Sequence, residues 1–257
     1  MLLEPGRPRW RDHLGPAAVI LVGVLVVVAV GLVLRAGRAE EPVPAEPVVA
    51  EVTDPPVAQV PIPLPSPSPS TSPKPVDSIV VEQGGVPDTV DLAAEGKIDW
   101  VHWGEGGPYA LERSAKGGFA ILEGTPDAPR ERHTLSPQRF RWSGGTPAAG
   151  NRGTTSGIRT CGAGNGFTLS APATTNPMRL RLYLGVSAAR GLLRLRLSTG
   201  GKTLTSAMVQ RGNELETAKY TIDYQATEAG KISIEWITEE SFGSGCGGVA
   251  LQAATLF

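Results

Sequence analysis

The chain has 257 residues, with 24 Lys and Arg against 25 Asp and Glu, a formal net charge of −1, and 40% hydrophobic residues. A near-neutral chain lacks the cationic excess that phosphate contacts need, so nucleic acid is not among its expected partners. The hydrophobic residues are concentrated in one block and then in alternating runs, which counts against a single cytosolic globule.

The block comes first. From Ala17 to Leu34 no residue is charged. As a helix this run would measure roughly 27 Å, close to the hydrocarbon thickness of about 30 Å. A helix is also the form that satisfies every backbone amide of one segment in lipid. We therefore expect a transmembrane helix at 17–35, with the bilayer as a partner. The competing reading is a cleaved signal peptide, with Gly37-Arg38-Ala39 as a loose cleavage site, but such apolar regions run only about 7–15 residues. Arg7, Arg9 and Arg11 precede the run, and Arg35 and Arg38 come after it. That is a slim positive-inside margin. Together with the long proline stretch and the cysteine-bearing domain beyond the helix, it points to a cytoplasmic tail at 1–16 and an extracytoplasmic remainder at the cell membrane.

A linker is expected at 36–77. Between Glu40 and Pro75 lie 12 of the 23 prolines, ending in Pro61-Ile62-Pro63-Leu64-Pro65-Ser66-Pro67-Ser68-Pro69-Ser70. Proline fixes φ and donates no hydrogen bond, so this stretch reads as a disordered, polyproline-II-rich stalk of at most roughly 110 Å. A docking motif for proline-reading domains and a glycosylated stalk are the alternatives.

The domain expected at 78–257 holds 18 Lys and Arg against 17 Asp and Glu. Its pattern is period two. Met178, Leu180, Leu182, Leu184 and Val186 alternate with other residues, as do Leu193/Leu195/Leu197, Tyr220/Ile222/Tyr224 and Ile232/Ile234/Trp236. Such alternation marks half-buried strands. Further strands are expected at Ile79–Val81, Val90–Leu92, Ile98–Trp103, Phe140–Ser143, Gly166–Ser170, Leu204–Val209 and Val249–Leu256. Glycine-rich or proline-containing breaks separate the runs, and about ten strands at this spacing predict an all-β fold, an antiparallel jelly roll or β-sandwich. The two cysteines, Cys161 and Cys246, both fall here, each in a glycine-rich loop before a strand. In an exported domain a disulfide between them is the expected state; two unpaired or metal-binding thiols are the alternative, weakened by the lack of CxxC and the scarcity of histidine.

The stretch Val90-Asp91-Leu92-Ala93-Ala94-Glu95-Gly96-Lys97-Ile98-Asp99-Trp100-Val101-His102-Trp103-Gly104 resembles the start of a jelly-roll module of bacterial secreted and surface-anchored proteins. Phe140–Gly145, Gly166–Ala173, Leu182–Val186 and Val249–Thr255 resemble later parts of it. The resemblance covers most of Val86–Phe257. It implies a galactose-binding-domain-like β-sandwich, with no activity to carry over, and its link to carbohydrate rests on fold analogy.

Candidate ligand contacts come from the residues themselves. Trp100, His102, Trp103, Tyr109 and Trp142 form the densest aromatic group, and flat amphipathic rings suit sugar faces. His102, Trp103, Tyr109 and Trp142 are the expected ligand-binding set, against the reading that most of these rings pack the interior. On a strand, Trp100 and His102 share one face, and Asp99, Val101 and Trp103 the other. Arg179, Arg181, Arg194 and Arg196 would form an anionic-ligand patch if their strands pair. Strands in opposite sheets would split it, and acidic neighbours such as Asp223 and Glu235 would neutralise it.

Enzyme signals are thin: no Gly-x-Ser-x-Gly elbow is present, and no nucleophile with a positioned base is legible. No cofactor is expected. Asp88, Asp91 and Glu95 could contribute to a calcium site but lack its alternating acidic spacing, so no metal is expected either. The sequence therefore predicts a membrane-anchored binding module for cell-wall or extracellular glycan. The alternative is an envelope structural or protein-interaction domain, and a hydrolase is a weak third.

Overall fold

The computed structural model describes residues 74–126, 128–243 and 245–257. The expected tail, anchor helix and most of the linker lie outside them. Among the described residues no helix is long and apolar enough to cross a membrane.

Strands are numbered in chain order. The largest sheet runs β1 (Ser78–Gly84), β15 (Glu216–Gln225), β12 (Met178–Ser187), β17 (Gly248–Leu256), β3 (Asp99–Trp103), β4 (Leu111–Ser114) and β8 (Gly145–Thr146). Beside β3, β10 (Gly157–Cys161) pairs with the first half of β17 and carries β6 (Glu131–His133). A five-stranded sheet runs β14 (Gly200–Gln210), β13 (Ala189–Leu197), β16 (Gly230–Ser241), β11 (Gly166–Ala173) and β5 (Leu122–Glu123). A third, small sheet joins β2 (Thr89–Asp91), β7 (Arg139–Ser143) and β9 (Gly150–Thr154). Among the described residues β2–β7 is the one parallel pair.

The two large sheets face each other, because their alternating residues share one interior. Leu180, Leu182, Leu184 and Val186 from β12, Tyr220 and Ile222 from β15, and Val101 and Trp103 from β3 meet Leu193, Leu195, Ile232, Ile234 and Trp236 of the opposite sheet. This is the sandwich that the alternation predicts. Gly191 on β13 is a packing requirement, since a Cβ there would lie 2.4 Å from Cη2 of Trp236. The Trp236 indole N–H donates to the Ala250 carbonyl at 3.1 Å.

The small sheet adds a layer that the sequence did not announce. Val90, Phe140 and Trp142 from it pack on Trp100, Tyr183 and Ala253 of the largest sheet, together with Leu92. Residues 92–95, expected partly as strand, form the one-turn helix α1 (Leu92–Glu95), because the Asp91 carboxylate caps it by accepting the Ala94 amide at 3.0 Å. Covered on both faces, β17 is buried throughout, which explains its nearly continuous small and apolar sequence.

Asp77 sits just ahead of β1 and belongs to the folded body. Its Oδ1 accepts the Thr227 amide at 2.7 Å and the Thr199 hydroxyl at 2.8 Å. These bonds hold its carboxyl below the usual carboxylate range.

Candidate functional site

The disulfide is present: Cys161, at the end of β10, is bonded to Cys246, 85 residues on. Glu131 lies close to both sulfurs, the one cluster of metal-ligand type among the described residues, but bonded sulfurs offer no thiolate.

The expected ligand-binding set is divided. His102, Trp103 and Trp142 are buried, at 0%, 1% and 4% exposure, whereas Tyr109 is 70% exposed. The physical reason is the third layer. On β3, Trp100 and His102 face outward from the sandwich, and the small sheet closes over them. The His102 ring lies 5.0 Å from the Trp142 ring and 5.6 Å from Phe140, and Trp100 lies 5.8 Å from Trp142. Trp103 points the other way, into the sandwich. Three of the four residues therefore build interiors. Trp142 does reach the floor of a shallow groove of about 250 Å³ with Arg141, Asn151 and Arg152.

Burial leaves His102 as a neutral base. Neither ring nitrogen has a hydrogen-bond partner, and desolvation pushes its pKa down to about 4, against an opposing effect of the Glu105 charge. His133 is likewise pushed down to about 4 by burial, then by the Arg159 and Arg132 charges. The Ser156 hydroxyl donates to Glu105 at 2.9 Å, with no hydrogen bond from either histidine to it. The described bonds thus assemble no nucleophile with its base.

The four arginines are also divided. Arg179 and Arg181 lie on β12 of the largest sheet, Arg194 and Arg196 on β13 of the five-stranded sheet, so they form no common patch. Arg179 forms a bidentate pair with Asp223, Arg181 pairs with Glu95 at 3.1 Å, and Arg194 with Glu235 at 3.4 Å. Asp91 bonds Arg141 at 3.1 Å, and Glu95 also accepts the Tyr183 hydroxyl at 2.6 Å. Two of the three carboxylates considered for calcium, Asp91 and Glu95, thus have protein partners.

What remains on the surface is the Tyr109 face. Tyr109 lies in the loop from Gly104 to Ala110 between β3 and β4, which closes through the Gly104 amide on the Ala110 carbonyl at 3.0 Å. Gly104 has φ +85°, and a Cβ there would meet the Gly157 carbonyl at 2.4 Å, so glycine is required where the loop leaves the sheet. The Arg130 guanidinium stacks on the Tyr109 ring at 5.0 Å. It donates to Glu123 Oε1 at 2.7 Å, while the Trp103 indole N–H donates to Glu123 Oε2 at 2.9 Å. Beside this network is a recess of about 50 Å³ lined by Glu123, Thr125, Arg130, Thr160 and Thr168, room for a hydroxyl or a water but not a sugar ring. An open aromatic face over a fixed Arg–Glu pair, next to threonine hydroxyls, can hold a polyhydroxylated ring by stacking and by hydrogen bonds at its edge.

Glu123 and Arg130 were not singled out in the sequence. Glu123 belongs to a two-residue strand and Arg130 to a loop, and neither carries a periodic signal. The one hint is the turn Gly124-Thr125-Pro126 next to Glu123.

The sequence matches no protein-family profile and no curated protein. Among solved structures, it is similar over 53% of its length to the enzymatically active domain of bacteriophage CBA120 tailspike protein 4, at 11% identity, a TM-score of 0.32 and 19% of that chain. It is similar over 53% to TmCBM61 in complex with β-1,4-galactotriose, at 13% identity, a TM-score of 0.30 and 86% of that chain. It is similar over 57% to the insecticidal crystal protein Cry2Aa, at 14% identity, a TM-score of 0.28 and 25% of that chain. The chain thus spans about a fifth of the tailspike chain and a quarter of the Cry2Aa chain. Likenesses this distant do not bear on activity. Of the expected jelly-roll architecture, the structure shows the antiparallel β-sandwich.

Proposed function

We propose that the chain is a membrane-tethered binding module that presents its β-sandwich outside the cytoplasm and recognises cell-wall or extracellular glycan through the Tyr109 face. The observation that carries this reading is the 70% exposed Tyr109 ring, backed by Arg130 and set beside the Glu123 carboxylate. The Cys161–Cys246 disulfide supports an oxidising compartment. The uncharged run Ala17–Leu34 and the proline stalk support the tether, and two buried tryptophans leave the tyrosine as the ring offered to a sugar. The test is a glycan and peptidoglycan binding screen with the full chain and with Tyr109→Ala. Binding by the native chain that falls at least about tenfold in the variant supports the reading; retained binding by a folded variant removes Tyr109, and no glycan bound at all removes the function.

A second reading, docking to an envelope protein, is favoured by Phe119. This residue is 67% exposed with φ +59°, and the Arg113 guanidinium stacks on its ring at 4.3 Å. An apolar ring held outward at a backbone conformation that disfavours it is the kind of strained feature found at contact sites. Partner capture that depends on Phe119 and not on Tyr109 would select this alternative.

A further inference from the structure

β14 stands at the end of the five-stranded sheet and, among the described residues, pairs on one side only, with β13. The other terminal strands are blunted by length: β5 and β8 have two residues, β2 and β6 three and β9 five. β1, with seven, carries Glu82. β14 has eleven residues, Gly200-Gly201-Lys202-Thr203-Leu204-Thr205-Ser206-Ala207-Met208-Val209-Gln210, with a single charge near its start and no proline. Long neutral edges are what soluble proteins protect with lysine, proline or bulges, and the outer half of β14 has none of these.

Its sequence is complementary to itself. In an antiparallel pair centred on Ser206, Leu204 faces Met208 of a second copy, Thr205 faces Ala207, Thr203 faces Val209, and Lys202 faces the neutral Gln210. No like charges meet. Leu204 and Met208 belong to the inward face, against the sandwich core, and Val209 is exposed on the outward one. Next to Leu204 an open seam of about 560 Å³ separates β1 from the β13–β14 hairpin, with Ile79, Leu197 and Leu204 in its wall. Met208 of the second copy would stand at the mouth of that seam. We propose that β14 pairs antiparallel with β14 of a second copy about a two-fold axis at Ser206, joining two five-stranded sheets into one of ten strands.

The experiment uses the full chain purified in detergent. Residues directly opposite in an antiparallel pair have Cα atoms about 4.5–5.5 Å apart, within disulfide range. Ser206→Cys should therefore yield a disulfide-linked dimer under mild oxidation, and Glu228→Cys, an exposed control, should not. In sedimentation, Thr203→Lys/Val209→Lys, at two exposed outward positions that face each other across the axis, sets positive charge against positive charge and should weaken dimerisation roughly tenfold with an unchanged circular dichroism spectrum. A native chain that sediments as a monomer, a dimer indifferent to Thr203→Lys/Val209→Lys, or a Ser206→Cys cross-link only to a different protein would each overturn the proposal.

Discussion

The molecule has two interiors, and they are built differently. Between the large sheets, long strands deliver alternating aliphatic residues, and the polar atoms carried in with the rings mostly find partners, as when the Tyr224 hydroxyl donates to the Pro172 carbonyl at 2.9 Å. Under the small sheet, three strands of three to five residues close over Trp100, Phe140, Trp142 and Tyr183, and His102 is enclosed with both nitrogens unpaired. Regular alternation secures the first interior. The second depends on aromatic area and tolerates a desolvated base, whereas in the first the Tyr220 hydroxyl is the ring polar group left without a partner.

The sharpest way to break this comparison is acid. His102 and His133 have folded pKa values near 4 against 6.5 when unfolded. From about one unit above 6.5 both are neutral in either state and add no pH dependence. As the pH falls from 6.5 towards 4 the unfolded chain takes up protons that the folded one refuses, so stability falls by on the order of 3 kcal/mol for each imidazole. Urea midpoints measured across that window should drop steeply, and a His102→Leu/His133→Leu chain should lose most of the slope. An unchanged slope in that variant would return the histidines to solvent.

Loss of the disulfide is next in size. It fastens β10 alongside β17, where the two interiors meet, and the 85-residue separation gives an entropic contribution of about 4–5 kcal/mol. Cys161→Ser/Cys246→Ser should lower the melting temperature accordingly, while neither sulfur of the native folded chain should react with an alkylating reagent. Smaller again is Gly191→Ala in the first interior. The added methyl meets the Trp236 ring and should cost about 1–3 kcal/mol in a denaturant titration, with no dependence on pH.

The contrast between interiors also sets what the sequence could reveal. The run around Leu182 marks β12 nearly to its ends, and those around Leu195, Ile222 and Ile234 mark about half of β13, β15 and β16, because half-buried strands must alternate. β9, with the sequence Gly-Asn-Arg-Gly-Thr, has no apolar residue at all, and β5 and β8 are too short to show a period. Missing β9 meant missing the layer that buries Trp142. A dense aromatic group reads the same in sequence whether a layer covers it or water does, so His102, Trp103 and Trp142 were as plausible on a surface as Tyr109. The arginine patch failed for a related reason: β12 and β13 are consecutive in sequence but lie in opposite sheets. Pairing of Cys161 with Cys246 was legible because two cysteines allow one intramolecular pair.

The smallest effect on stability belongs to Tyr109, whose truncation should change the folding free energy by no more than about 0.5 kcal/mol, being a surface change. That separation of binding from folding makes it the direct test of the account. Retention of the full chain on insoluble wall glycan should be measured for the native protein, Tyr109→Ala and Trp142→Phe, with matched circular dichroism spectra. A glycan site at Tyr109 requires loss of retention in Tyr109→Ala and near-native retention in Trp142→Phe; the reverse pattern would contradict that site.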